Sequence, residues 1–394
     1  DLYMALKSSS QLKKNPESRK IFFSNGSAVA ENTILTREDL AQTIEKIAAE
    51  GKKGFYEGET AQKIVAAMHN NGGFVSLEDL KNYRPRFSEP IRTAYRGNPI
   101  FAPRPPSGGA IVVLDALNIL ENFALGKYKS NSSATYHLLA EALRRGHMDR
   151  SRYIGDPGFY DVPVEGIISK KRARELAKTI SFKSASSNKS MSPDDFLEES
   201  KDTTHYSIID EDGNAVSNTY TLGYSFGSGV TIPGTGILMN NHMNNFAYRY
   251  GDKSIRGRTA SPANKFDSGK RPMSTMTPVM VFNRDGELQL ITGSPGGAAI
   301  PAAVLRVVTG VIDFDLNIGE ATMLPRIHKD WPYEDLDYES TASSDVIAIL
   351  QNLGHKMEAS KTMGSTQSIH IKDGFNHGYA DLRRPNAGVA IQTH

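Results

Sequence analysis

The sequence predicts a fold that mixes α-helices with β-strands, and three observations support this prediction. Apolar residues recur at helical spacing in segments such as 58–68 and 110–120. Short alternating or β-branched runs, such as 206–209 and 215–221, are typical of strands. With 394 residues, 39% of them apolar, the chain can form one large or two medium domains with a real core.

Helical patterns dominate the first half of the chain. Thr36 is predicted to be the N-cap of a helix that has Asp39 at its third helical position and ends at Gly51. The segment PPSGG at 105–109 lacks the lysine of a phosphate-binding loop, so we interpret it as the start of a helix. The other predicted helices are 2–23, 58–68, 77–80, 110–120 and 134–149, and the strand-like segments are 93–95 and 99–102.

The second half contains most of the predicted strands. The segments 206–209 and 215–221 form a hairpin that turns at residues 210–213. The further predicted strands are 279–282, 288–292, 368–371, 379–391 and two between 227 and 239, and the predicted helices are 193–199, 298–311 and 344–353.

Composition and charge exclude several classes of protein. The 46 basic and 44 acidic residues leave a formal net charge of +2, which gives no overall field favouring nucleic acid or a membrane surface. The absence of cysteine excludes disulfides and thiol catalysis, and the scattered histidines predict neither a metal site nor a cofactor. No apolar run approaches the roughly 20 residues of a membrane helix. The basic run 144–150 is interpreted as a solvated or ion-paired helix end.

Thr203 stands where a polar linker meets the predicted hairpin. Residues 182–192 are rich in Ser, Lys and Asn, which predicts an exposed linker. A threonine hydroxyl needs a base to act as a nucleophile, and cutting the Asp202–Thr203 bond would release an α-amine with a pKa of about 8. Taken alone, the hairpin favours the simpler interpretation that Thr203 and Thr204 begin a strand.

Two further loops carry groups that could take part in chemistry. Residues 293–297, Gly-Ser-Pro-Gly-Gly, lead into the predicted helix at 298–311. Backbone amides of paired glycines at a helix start point outward and are the expected donors to a developing oxyanion. Residues 240–245 form an amide-rich loop, and such amides usually satisfy turns.

These features together resemble the γ-glutamyltranspeptidase family of N-terminal-nucleophile hydrolases over essentially the whole chain. The order and spacing of six motifs carry the resemblance. They are PPSGG at 105–109, TTHYS at 203–207, GILMNN at 236–241, RPMSTMTP at 271–278, TGSPGG at 292–297 and MGSTQSI at 363–369.

The resemblance implies an α+β fold, a four-layer αββα sandwich, and a precursor that cuts itself before Thr203. Residues 1–202, ending at Asp202, would be the C-terminal part of a large subunit, because the family's N-terminal stretch is absent here. Residues 203–394 would be the small catalytic subunit. The two pieces would stay associated as one intertwined domain.

The resemblance also assigns catalytic roles. Thr203 would be the nucleophile and, through its amine, the base, while Thr221 would hydrogen-bond its hydroxyl. The amides of Gly296 and Gly297 would bind the oxyanion. The implied reaction is the cleavage of a small γ-glutamyl or glutaryl-like amide through an acyl-enzyme on Thr203.

The substrate-binding residues are carried over in the same way. Ser274 and Thr275 match the serine pair that binds the substrate α-carboxylate in the family. The family also has an arginine for this carboxylate in an N-terminal stretch, and this sequence begins after that stretch. Either the stretch is a separate or disordered piece, or another cation takes the place of the arginine. Arg383 and Arg384 are candidates to replace it, with a surface ion pair as the alternative interpretation.

Three positions depart from the family pattern around the substrate amine. Gly223 stands where an asparagine is usual, His242 where a glutamine is usual, and Asn245 where an aspartate pairs with the ammonium. Loss of the aspartate should weaken binding of a zwitterionic γ-glutamyl group. The same change occurs in members resembling cephalosporin acylases, whose glutaryl substrates lack that amine.

Three alternatives to this enzyme stay open at this point, and one of them is a cephalosporin-acylase-like enzyme. An unprocessed or inactive relative would keep the fold without turnover, and an anion- or nucleotide-binding module would use the glycine loops, although these lack a lysine. The resemblance implies a periplasmic or secreted protein, and a cytoplasmic location also stays open.

Overall fold

The structure, a computed structural model, describes residues 2–187, 203–246, 262–360 and 362–392. These residues form two compact units. Unit 1 comprises 1–88 and 221–242, and unit 2 comprises 89–220 and 243–394. The predicted helix at 193–199 and Asp202 lie outside the described residues.

Unit 1 is built from short helices, because polar caps interrupt the first helical pattern. The side chains of Ser9 and Asn15 accept hydrogen bonds from the amides of Leu12 and Ser18, and so start new helices within the predicted helix 2–23. The elements of the unit are α1 (Leu2–Ser8), α2 (Ser10–Lys14), α3 (Pro16–Phe22), β1 (Phe23–Ser24), β2 (Ser27–Ala28), α4 (Glu38–Glu50), α5 (Lys53–Tyr56), α6 (Gly58–Asn70) and α7 (Leu77–Asn82).

The second segment of unit 1 fills its core. Ile232 packs with Ile64 and Ala67, and all three are buried. The hydroxyl of Ser18 lies 2.8 Å from that of Thr231 and donates to the carbonyl of Gly229 at 2.7 Å. Residues 221–242 are thus an integral part of the unit.

Two local predictions in unit 1 are wrong. Arg37, not Thr36, stands at the N-cap of α4, and it makes no side-chain capping bond. The two strands predicted between 227 and 239 reduce to one isolated bridge between Thr231 and Leu238. Extended pairing fails there because the four glycines of the segment, at 227, 229, 234 and 236, have positive φ.

The helices of unit 2 surround one large apolar core. Every residue of α8 is buried, and α8 packs along α9 and α12. The helices are α8 (Gly108–Leu120), α9 (Ser133–Tyr153), α10 (Val164–Ile167), α11 (Lys170–Lys178), α12 (Ile300–Phe314), α13 (Ile318–Met323) and α14 (Ser344–Asn352). Arg144 and Arg145 are buried and face Glu141, so the basic run is ion-paired rather than solvated.

The strands of unit 2 form a six-stranded sheet, a three-stranded sheet and the hairpin after Thr203. The six-stranded sheet has the order β13-β12-β8-β7-β4-β3 and the smaller sheet the order β11-β10-β9. The strands are β3 (Ile91–Tyr95), β4 (Asn98–Ala102), β5 (Thr204–Ile209), β6 (Ala215–Tyr220), β7 (Val279–Phe282), β8 (Leu288–Thr292), β9 (Ile327–His328), β10 (Asp335–Glu339), β11 (Lys356–Ser360), β12 (Gln367–Lys372) and β13 (Phe375–Ala380).

The hairpin β5–β6 lies against the six-stranded sheet. Ser207 donates to the carbonyl of Gln367 at 2.9 Å, and Ser217 to that of Thr292 at 3.2 Å. Helices and sheets are both abundant, so the predicted α+β class is confirmed. The last predicted strand is displaced: β13 ends at Ala380, and residues 381–392 form turns and irregular structure.

One helical segment of the described chain, Gly297–Phe314, is long and apolar enough to cross a membrane by length and composition. The sequence pattern had predicted no such segment. Of its 18 residues, 72% are buried inside the protein, because α12 packs against α8 and α13. This burial is what a core helix requires.

Candidate active site

Thr203 lies directly before β5 and is 8% exposed. Its carbonyl oxygen accepts a hydrogen bond from Nη1 of Arg384 at 3.0 Å. The candidate nucleophile is therefore held at the start of a strand whose pairing with β6 is fixed from Thr204 to Ile209.

The His205 side chain forms hydrogen bonds within the hairpin β5–β6. Its Nε2 lies 3.2 Å from Oγ of Ser207, and its Nδ1 lies 2.7 Å from Oγ1 of Thr219. Ser207 uses its one hydrogen on the carbonyl of Gln367, so it must accept from Nε2–H, and Thr219 must donate to Nδ1. Burial lowers the pKa of His205 to about 3, so the ring is neutral at physiological pH.

The glycine loop begins beneath the His205 ring. A Cβ added to Gly293 would lie 2.2 Å from Cε1 of His205, so only glycine fits there. The loop continues through Ser294, whose hydroxyl donates to the carbonyl of Pro295 at 2.6 Å and accepts from the amide of Ser365 at 2.9 Å. Sequence reasoning missed His205, because a histidine on a strand gives no signal of what it packs against.

Gly296 and Gly297 form the turn that starts the helical segment leading into α12. Both have positive φ, 135° and 58° respectively. A Cβ on Gly296 would lie 2.9 Å from Cα of Gly364, so the backbones of two loops approach closely here. Among the described residues, neither amide of the glycine pair donates to a protein acceptor. Two amides of this kind can donate to an oxyanion.

Arg383 lies in a buried ion-pair network behind that turn. All five of its N–H groups are used, on Glu339, Asp381 and the carbonyls of Thr322 and Leu324. Glu339 also accepts from the amide of Met363, the residue before Gly364. The structure thus places Arg383 in an ion pair, as the alternative interpretation had it, but this ion pair is buried and does not lie at the surface.

Ser274 and Thr275 lie against the PPSGG segment. The amide of Gly108 donates to the carbonyl of Ser274 at 2.7 Å, and a Cβ on Gly109 would lie 2.2 Å from the carbonyl oxygen of Thr275. The predicted helix start at PPSGG is confirmed, and its two glycines allow this close packing. Oγ of Ser274 accepts from the amide of Met276 at 3.0 Å, which leaves its hydrogen available to a ligand.

Asn245 is held beside the same loop. Its Nδ2 donates to the carbonyl of Met273 at 3.2 Å, and its own carbonyl accepts from Nδ2 of Asn264 at 2.6 Å. Met273 directly precedes Ser274. The structure therefore places Asn245 against the residue that precedes Ser274. The family resemblance assigns Asn245 and Ser274 to opposite ends of a substrate α-amino acid group.

Thr221, Gly223 and His242 form a second group, in unit 1. The amide of Gly223 donates to Oγ1 of Thr221 at 2.9 Å, and Nε2 of His242 donates to the carbonyl of Thr221 at 3.1 Å. Burial lowers the pKa of His242, so it is neutral. Gly223 has φ 96°, and a Cβ there would lie 1.9 Å from Oδ1 of Asn241. The predicted roles of these three residues stay predictions.

One group of side chains in the described chain has donor atoms close enough to hold a metal ion. His137, Glu141 and His355 are buried, with their donor atoms within 4.8 Å of one another. Sequence reasoning missed this group because His355 is far from the others in the chain. Nδ1 of His137 lies 2.8 Å from Nε2 of His355, a hydrogen-bond distance, and Arg145 pairs with Glu141 at 2.6 Å. The histidine nitrogens and the Glu141 carboxylate that would bind a metal are therefore already used in contacts within the protein.

The fold defines the class of protein. The structure superposes on the crystal structure of cephalosporin acylase from Bacillus halodurans with a TM-score of 0.81 and 28% identity, covering 98% of this chain and 68% of that one. The α+β sandwich of N-terminal-nucleophile hydrolases is therefore the fold of this chain.

The family follows from sequence comparison. The Gamma-glutamyltranspeptidase family model matches residues 1–391, and the chain belongs to the γ-glutamyltranspeptidase family. It is 39% identical to the glutathione hydrolase proenzyme of Escherichia coli K12, over 94% of this chain and 64% of the relative. It is 34% identical to the acylase ACY 1 proenzyme of Pseudomonas sp. SE83, over 96% of this chain and 66% of that protein. The chain thus spans just under two thirds of these relatives.

Proposed function

We propose that this chain is an autoprocessed threonine amidohydrolase or acyltransferase of the γ-glutamyltranspeptidase type. One observation carries the proposal. The strand that follows Thr203 packs, through His205, against Gly293, the first residue of the loop that ends in the free amides of Gly296 and Gly297. The family membership and the word proenzyme in the names of the relatives support it.

The first step of the proposed chemistry is self-cleavage. Oγ of Thr203 attacks the carbonyl carbon of Asp202, and the peptide C–N bond breaks as an ester forms. The hydroxyl proton moves to the departing nitrogen, which becomes the α-amine of Thr203. Water then hydrolyses the ester, so that residue 202 gains a carboxylate and Thr203 regains its hydroxyl.

Turnover repeats this chemistry on a substrate amide. The freed amine accepts the proton of Oγ as Oγ attacks the substrate carbonyl, and the negative oxygen is bound by the amides of Gly296 and Gly297. The C–N bond breaks, the leaving amine takes the proton, and an acyl ester remains on Thr203. Water or a second amine then removes the acyl group.

The acyl pocket is proposed to prefer an anion that has no free amine beside it. Asn245 and His242 are neutral, and Gly223 has no side chain, so none of the three supplies a negative charge. Desolvating an ammonium without such a charge is costly. The free hydroxyl hydrogen of Ser274 still offers a donor to a carboxylate. Glutaryl-like amides and γ-linked glutamyl chains both fit this description.

We also propose that the two cleavage products stay together. Residues 1–202 and 203–394 both contribute to each compact unit, so each product depends on the other for its core. A periplasmic or secreted location is part of the proposal, and fractionation of the producing cells tests it.

Mass spectrometry and kinetics on the purified protein test the proposal. We expect two pieces that split before Thr203, and hydrolysis of a glutaryl-anilide with a higher kcat/KM than of the γ-glutamyl-anilide. A single uncut chain that hydrolyses neither compound would instead indicate an inactive relative. Two pieces with a strong preference for the γ-glutamyl compound would keep the enzyme class and reject the acyl-pocket argument.

A further inference from the structure

Arg384 makes a direct contact with the main chain of Thr203. Its Nη1 donates to the carbonyl oxygen of Thr203 at 3.0 Å, and the residue is half-buried. Its backbone lies in a turn, where its amide donates to the carbonyl of Asp381 and its carbonyl accepts from Ala387. Asp381 is in turn bound to the amide and hydroxyl of Thr366. These hydrogen bonds hold the backbone of Arg384 in place, and its guanidinium reaches Thr203 from there.

The other titratable groups on the elements around Thr203 are exposed tyrosines, histidines with a lowered pKa, or members of ion pairs. The segment 293–297 carries none, and the two tyrosines of the hairpin, Tyr206 on β5 and Tyr220 on β6, are exposed. Burial lowers the pKa values of His205 on β5 and His370 on β12. The remaining groups pair with one another, as Lys372 with Asp315, Asp381 with Arg326, and Arg383 with Glu339.

We infer that Arg384 is a positioning residue for Thr203, which fixes the threonine carbonyl and keeps the released α-amine in its neutral, proton-accepting form. This inference rests on the proposed function, because the amine exists only after cleavage before Thr203. Arg384 would thus act through the base of the reaction without touching the substrate.

Covalent geometry limits how far the cation lies from that amine. The nitrogen and carbonyl oxygen of one residue are at most about 3.6 Å apart, so Nη1 and the amine nitrogen would be within about 6.6 Å. A like charge at such a distance disfavours protonation of the amine. Removing the cation should therefore raise the pKa of the amine and move the acid limb of the activity profile to higher pH.

The test measures kcat/KM against pH, which reports the essential base of the free enzyme. Arg384→Gln should move the acid limb upward by about one pH unit. Arg384→Lys, which keeps the charge and loses the planar fork, should leave the limb within about 0.3 units while lowering kcat. Arg174→Gln, which removes a charge from an exposed position on α11, is the matched control and should not change the profile.

Each outcome decides between this inference and the proposed function. An unmodified protein that is uncut and inactive rejects the proposed function, and the inference falls with it. If the unmodified protein is cut and active, and the acid limb of Arg384→Gln lies at the same pH as that of the unmodified protein, the inference is rejected and the proposed function stands. A raised KM with an unmoved limb also rejects it and assigns Arg384 to substrate binding.

Cleavage itself gives a second readout if the Gln variant remains uncut. If the Arg384→Lys variant is cut and the Arg384→Gln variant is not, the result supports the need for a cation at this position. Failure of both variants to be cut, with folding confirmed by circular dichroism, overturns the explanation based on charge.

Discussion

Arg383 donates two parallel hydrogen bonds to the carboxylate of Glu339, with Nε–Oε1 and Nη2–Oε2 distances of 2.7 and 2.6 Å. Burial lowers the pKa of Arg383, but the neighbouring carboxylates of Glu339 and Asp381 raise it by more, so the net effect is a raised pKa. Glu339 also accepts from the amide of Met363, next to the residue that packs on Gly296. The ion pair thus supports the loop behind the candidate oxyanion donors.

We predict that Arg383→Gln lowers the free energy of unfolding by about 3 kcal/mol, because it leaves two buried carboxylates short of a partner. Urea unfolding followed by circular dichroism measures this loss. Arg174→Gln, at an exposed position, is the control and should change stability by less than about 0.5 kcal/mol. A variant of normal stability with a greatly raised KM would return Arg383 to the substrate pocket.

Thr203→Ala should give a single uncut chain, since alanine has no hydroxyl to attack the preceding carbonyl. Thr204→Ala is a close control, because Thr204 is exposed and adjacent, and it should be cut normally. Intact-mass measurement after prolonged incubation separates the two. Cleavage of the Thr203 variant at the same bond would remove Thr203 from its proposed role.

Gly297→Val should reduce kcat by about 100- to 1,000-fold, because a side chain at φ 58° displaces an amide that we propose binds the oxyanion. Gly166→Val, at an exposed glycine with open space around it, should leave kcat unchanged. Melting temperatures of both variants check that they are folded. Near-normal turnover by a cleaved and folded Gly297 variant would point to other donors.

Asn245→Asp should shift preference toward γ-glutamyl substrates, because it places a negative charge next to the loop that contains Ser274. We expect the ratio of kcat/KM for γ-glutamyl-anilide over glutaryl-anilide to rise about tenfold, or roughly 1.4 kcal/mol. Asn264→Asp, which also changes an amide near Met273, tests whether any charge in this region is enough. An unchanged ratio in Asn245→Asp would contradict the proposed role of this position.

His205 should make the protein less stable in acid. Its pKa is about 3 in the folded protein and about 6.5 in an unfolded chain, so between these values the unfolded state binds more protons. Stability should therefore fall as pH drops below about 6.5, and His205→Asn should reduce this slope by about 1.4 kcal/mol per pH unit. His377→Asn, at an exposed histidine, is the control. Equal slopes in all three proteins would refute the prediction.

Local sequence predicted those parts of the fold in which neighbouring residues decide the conformation. The turn at residues 210–213 and the helix start at PPSGG are such cases. Neighbouring residues do not decide the N-cap of α4, because Nη2 of Arg37 at that position donates to the carbonyl of Gly236 at 2.7 Å. That partner lies far along the chain, and no local pattern of charge or polarity contains it.

The candidate site was predicted by motif order, and its supporting contacts were not. Gly293 must be glycine because the His205 ring lies over it, and the two residues lie 88 positions apart. Arg384 had no signal beyond its position near a family motif, whereas its contact with Thr203 becomes visible only in three dimensions. Packing between distant segments decides such contacts, and one sequence does not reveal it.

The discontinuous make-up of unit 1 has a consequence for synthesis on the ribosome. Residues 1–88 emerge long before 221–242, which supply Ile232 and Thr231 to the core of the unit. At about 5 to 20 residues per second, the first segment waits roughly 8 to 30 seconds for its completing piece. We expect nascent chains that stop before residue 221 to expose the apolar face of α6 and to engage chaperones during that interval.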